Sequence, residues 1–134
     1  MTSITVTLFK IITIPKAGDY DEYQFRFSAI QTDLIGGPEE AARTRRILVT
    51  ARMSRSLQAI WRLEGAAVPK VLFECARRQL EECASVRGDL GDFEVDLNSY
   101  AAPRQCPYEP DRILMREGIA FQVLLNKPLG FHGT

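Results

Sequence analysis

The chain has 134 residues, with 17 basic and 17 acidic side chains, one His and three Cys. Its length suits a single domain spanning 1–134, and its formal net charge of zero argues against a surface built throughout for nucleic acid or anionic lipid. With 46% hydrophobic and 25% charged residues it falls outside the disordered and fibrous classes.

Residues 3–15 carry Ile4, Thr5, Val6, Thr7 and then Ile11 to Ile14, a β-branched density that predicts a strand. A turn cluster from Pro15 through Ala17-Gly18-Asp19 is expected to end it. Tyr23, Phe25, Phe27 and Ala29 then alternate with Gln24, Arg26 and Ser28, which predicts a strand with an aromatic face. Residues 36–63 allow two readings. Gly37-Pro38-Glu39-Glu40 resembles a helix start, and a continuing helix would align Val49, Met53, Leu57, Ile60 and Trp61. The favoured reading is a hairpin. Ile47, Val49, Ala51 and Met53 share one face of its first strand. Leu57, Ala59, Trp61 and Leu63 share one face of its second, after a polar break at Ser54-Arg55-Ser56.

Residues 69–86 give the clearest helix, with Pro69 in the first turn, Leu72, Ala76, Leu80 and Cys83 on one side, and Arg87-Gly88 as the stop. Phe93, Val95 and Leu97 alternate with acids and predict a short strand. Residues 102–110 read as a loop, and Ile113–Leu125 as one strand or as a hairpin turning at Arg116-Glu117-Gly118. The tail, 127–134, is expected to fray. No run of ~18 apolar residues is present, so no membrane-spanning helix is expected. The N-terminus lacks a basic start and a cleavage site. With Cys75, Cys83 and Cys106 an odd and sparse set, a cytoplasmic setting is expected.

The residues offer no recognisable catalytic constellation. The only His is His132, near the end of the chain, where no network can fix an imidazole for general acid–base work. The Cys spacing matches no zinc pattern and no phosphate-cradling Gly loop occurs, so neither a metal nor a cofactor is expected. Charge is split along the chain. Arg43, Arg45, Arg46, Arg52, Arg55 and Arg62 have no acid among them, whereas Glu81, Glu82, Asp89, Asp92, Glu94 and Asp96 crowd the later part. The arginines suggest a nucleic-acid-binding or partner-inhibiting surface as one possibility, and a solvated face or contacts between subunits as the other.

Pro69-Lys70-Val71-Leu72-Phe73-Glu74-Cys75-Ala76-Arg77-Arg78-Gln79-Leu80, closing at Arg87-Gly88, resembles the first long helix of the SecB export-chaperone family. The order of elements before it is similar too, although Glu74-Cys75 stands where the family has Pro-Tyr. The resemblance implies an α+β fold, an antiparallel sheet of about four strands followed by a long packed helix. It implies a chaperone that binds unfolded or extended polypeptide, serves protein transport without catalysis, and assembles as a homo-oligomer. It also implies an apolar groove between sheet and helix, for which Trp61, Leu72, Phe73, Phe93 and Val95 are the candidate peptide-binding residues. The same five could equally be core. Residues from about 101 to 134 form an extension with no counterpart in the family.

Overall fold

The computed structural model describes residues 2–31, 43–84 and 90–125. Three long strands come first: β1 (Thr2–Ala17), β2 (Tyr20–Gln31) and β3 (Arg43–Ser54). They pair antiparallel, with Ile11 opposite Phe25 and Phe25 opposite Val49. Two helices follow, α1 (Arg55–Ile60) and α2 (Ala67–Glu82). The chain then returns as β4 (Phe93–Leu97), which lies parallel to β3. After a single 3-10 turn at Pro110–Arg112 it closes with β5 (Ala120–Leu125), antiparallel to β1. The strand order is β4-β3-β2-β1-β5.

A period of two sets which face is buried. Phe25, Phe27 and Ala29 of β2 are fully buried, as are Val49, Ala51 and Met53 of β3, while Arg26 and Arg52 between them are exposed. On β1 the buried set is Ile4, Val6 and Leu8. At Phe9 the register with β2 slips, from Leu8 opposite Phe27 to Lys10 opposite Arg26. An extra residue in one strand reverses the side-chain phase. Ile11, not Lys10, therefore joins the core face beyond the slip, and Lys10 is exposed.

Helix α2 covers this face. Val68, Val71, Leu72, Ala76 and Leu80 recur at helical spacing and are buried, and Pro69 sits in the first turn as the sequence predicts. Phe73 packs its ring 5.9 Å from Phe25 and 6.2 Å from Phe27. These contacts belong to one contiguous hydrophobic core.

Four antiparallel strands ahead of one long helix is not the arrangement that forms. The sheet is mixed and five-stranded. Three of its strands precede the helices, and the fourth follows α2 as a parallel partner of β3. A parallel neighbour requires a crossover, which α1 and α2 supply. The expected hairpin of residues 46–63 keeps its first strand and loses its second. Ser54 accepts a hydrogen bond from the Leu57 amide at 3.3 Å and starts α1. Leu57 and Trp61 are then buried one turn apart, whereas Ala59, which the alternation aligns with them, is exposed. Arg62 and Gly65 take left-handed φ values of 56° and 54°, ending the short helix before α2 begins.

Pro15 does not stop β1. The second register slip falls between Ile14 and Ala17, so Pro15 and Lys16 stand in a bulge where no ladder donor is needed. Gly18, with φ of 68°, makes the turn into β2. The alternation of Phe93, Val95 and Leu97 does form a strand. The candidate helix start at 37–40, the Arg87-Gly88 stop, Asp89 and the tail 127–134 with His132 lie outside the described residues.

Candidate functional site

Between α2 and the chain from residue 107 to residue 121 lies an open groove of about 560 Å³. Phe73, Tyr108 and Phe121 give it aromatic walls, and Ile113, Leu114 and Ile119 add aliphatic surface. Phe73 belongs to the core and half-buried Phe121 packs against it, with ring centroids 6.4 Å apart and planes nearly perpendicular. The groove is thus an opening onto the edge of the core rather than a separate cavity. Leu114 is 63% exposed and stands beside this aromatic wall as part of the same apolar surface. Glu74, Arg77, Arg78, Glu109 and Arg112 form a rim of both signs.

Tyr108 ties the outer wall to α2. Cys75 Sγ donates to its hydroxyl at 3.3 Å, the Arg78 guanidinium lies 5.0 Å over its ring, and the Trp61 ring meets it edge-on at 6.4 Å. Burial, followed by the Cys75 contact, pushes the phenol up to about 12, so it stays protonated as a hydrogen-bonding anchor. Burial also raises the Cys75 thiol, which keeps it protonated and a poor nucleophile. Farther along, Trp61 Nε1 donates to the Pro103 carbonyl at 2.8 Å and pins the middle of the same connection.

The inner rim is a set of ion pairs one turn apart on α2. Glu74 accepts from Arg77 and, at 3.0 Å, from Arg78 Nε, while Arg77 also reaches Glu81. The Arg77 hydrogen bond, against the opposing effect of burial, holds the Glu74 carboxyl below its ordinary 4.5. A carboxyl lowered in the folded state adds stability above its ordinary value, and that stability is lost as pH falls through the lowered one. Glu74→Gln is therefore expected to cost about 1 kcal/mol at neutral pH and to flatten the loss of stability on acidification below 4.5. Urea unfolding of both proteins at neutral and acidic pH checks this.

The structure does not bring the five candidate peptide-binding residues together. Phe73 reaches the groove, and Leu72 beside it is fully buried against the sheet. Trp61 is 7% exposed in the turn after α1, behind Tyr108. Val95 is buried and Phe93 half-buried on β4, at the opposite edge of the sheet from β5. The outer wall, Tyr108 with Ile113 and Leu114, was not among the residues singled out from the sequence. Its only local signal is an apolar cluster, Ile113-Leu114-Met115, after a Pro-rich stretch.

The arginines of residues 43–62 are divided rather than gathered. Arg46 and Arg52 lie on the sheet face away from α2, with their guanidinium groups 5.1 Å over Phe9 and Tyr20 respectively. Arg52 also pairs with Asp96 of β4 at 2.8 Å, so the basic and acidic runs meet inside one chain. Arg45, opposite Ala29, belongs to the other face. Arg55 of α1 lies 3.8 Å from Asp21, and Arg62 is exposed beyond α1. Arg43 opens β3, opposite Gln31. Among the described residues no group of three or more His, Cys, Asp or Glu is placed to hold a metal ion, and no helix is long and apolar enough to cross a membrane. No family model matches the chain, and no curated protein or solved structure is significantly similar to it.

Proposed function

We propose that the chain is a protein-binding domain of chaperone type, which holds an unfolded or extended polypeptide in the groove between α2 and residues 107–121. One observation carries the reading: an open groove with an aromatic wall continuous with the core and an exposed Leu114 at its lip. Burying apolar surface stabilises by ~25 cal/mol per Å² whatever the sequence, so such a groove suits a ligand defined by exposed side chains rather than by one chemical group. A rim with both Glu and Arg tolerates either sign of charge in the bound chain. The likeness of residues 69–80 to the SecB helix points the same way. A homo-oligomer, a role in protein transport and a cytoplasmic setting belong to the same proposal. Half-buried Ile12 and Leu48, on the sheet face away from α2, are the natural contact between copies.

Leu114→Asp is expected to weaken binding of a permanently unfolded, fluorescently labelled polypeptide about tenfold, because it places a charge at the lip of the apolar wall. Its exposure predicts little change in stability. Fluorescence anisotropy and urea unfolding separate the two effects. An unfolded polypeptide that binds neither protein would remove the proposal.

A further inference from the structure

A polypeptide bound in the groove also carries main-chain donors and acceptors, and the sheet offers partners for them. Strand β1 runs from Thr2 to Ala17, but β5 pairs only with Thr2–Thr7. The pairing ends at Leu8, whose amide donates to the Ile119 carbonyl at 2.9 Å and whose carbonyl accepts from Gly118 at 2.6 Å. Gly118, with φ of 94°, is where the chain swings into β5. Past that corner, Lys10–Ile14 pair with β2 on one side. Among the described residues they have no strand and no backbone hydrogen bond on the other.

Among the described residues, the lane that β5 fills at one end of β1 is therefore unfilled at the other. Ile119, at the corner, also lines the groove.

We infer that the edge of β1 at Lys10–Ile14 is the main-chain half of the binding site, and that an extended segment of the bound polypeptide adds there as a strand in line with β5. The inference rests on the proposed binding role and names its mode. Unpaired N–H and C=O groups at a strand edge are complementary to another extended main chain and to little else. Side chains on the core side of the added strand would stand beside Ile11, which packs against the core, and continue toward the groove.

The ends of this edge argue for a short guest rather than open-ended pairing. Exposed Lys10 stands at one end and exposed Pro15 at the other, and both oppose extended edge-to-edge growth. The opposite edge of the sheet differs. It is the short β4, where exposed Glu94 and Asp96 alternate with the core residues and Asp92 already accepts from the Leu48 amide at 2.8 Å.

The test uses a labelled, Lys-capped peptide alternating Val and Thr, with two further versions N-methylated at one or the other alternate set of residues. A strand pairs through one edge only, so one methylated set should lose about tenfold or more in affinity and the other should bind nearly as the parent does. Binding of the parent peptide should also slow amide hydrogen exchange within Lys10–Ile14. If all three peptides bind alike and exchange there is unchanged, strand addition is wrong while groove binding stands. If the parent peptide does not bind, both the mode and the role fall. If sedimentation shows copies of the chain paired through this edge and the peptide fails to separate them, the edge belongs to a second copy and the inference is overturned.

Discussion

Replacing Phe73 by Ala is expected to destabilise the fold by about 3–5 kcal/mol, the range for deleting a buried aromatic from a packed core. Phe73 is 2% exposed and meets Phe25, Phe27 and Phe121, so its ring joins α2 to two strands, β2 and β5. Few neighbours can collapse into the space, because the facing positions are themselves aromatic rings held by strand pairing. Phe93→Ala serves as the comparison. That ring is half-buried on the edge strand β4, and its loss should cost clearly less. Guanidinium unfolding of both variants gives the difference directly, and equal costs would mean that α2 is not seated on β2 as described.

Trp61→Ala is the second large effect, again about 3–5 kcal/mol by the same reasoning. Here part of the cost falls on a connection rather than on the sheet. Trp61 holds Pro103 through its indole nitrogen and backs the Tyr108 ring, so its removal should free residues 98–108 from α2. Trypsin should then cut after exposed Arg104 faster than in the parent protein. Trp61→Phe keeps most of the bulk and loses only the hydrogen bond to Pro103, a change of about 1 kcal/mol. If both variants resist trypsin as well as the parent does, the connection is held by something other than Trp61.

What could be read from residues alone divides along a physical line. Period-two faces on β2 and β3 and the apolar stripe of α2 are local patterns, and they stand where the sequence puts them. Leu57 to Leu63 misled because a helical pair, Leu57 and Trp61, and a chance apolar Ala59 together imitate alternation. The decisive signal was Ser54, an N-cap hydroxyl that reads equally well as a polar break. The bulge at Phe9 carries no composition of its own, so the phase change that buries Ile11 is set by pairing with β2. Which strands neighbour one another is non-local altogether. The expected antiparallel sheet of four fails because residues 57–63 form α1 and its turn instead of a fourth strand, and nothing in Phe93–Leu97 says that it joins the sheet parallel to β3. The groove shares this origin: Phe73 was visible as one candidate, while its far wall comes from Tyr108 and Leu114, brought over α2 by a connection with no periodicity.

Photo-crosslinking places the bound polypeptide most directly. A benzophenone side chain at position 114, on the groove lip, and one at position 100, where Tyr100 is 97% exposed and no part of the groove, are compared with the same unfolded polypeptide. Strong crosslinking from 114 with little from 100 is the result the groove predicts. Equal yields from the two positions, or a yield from 100 alone, would contradict it.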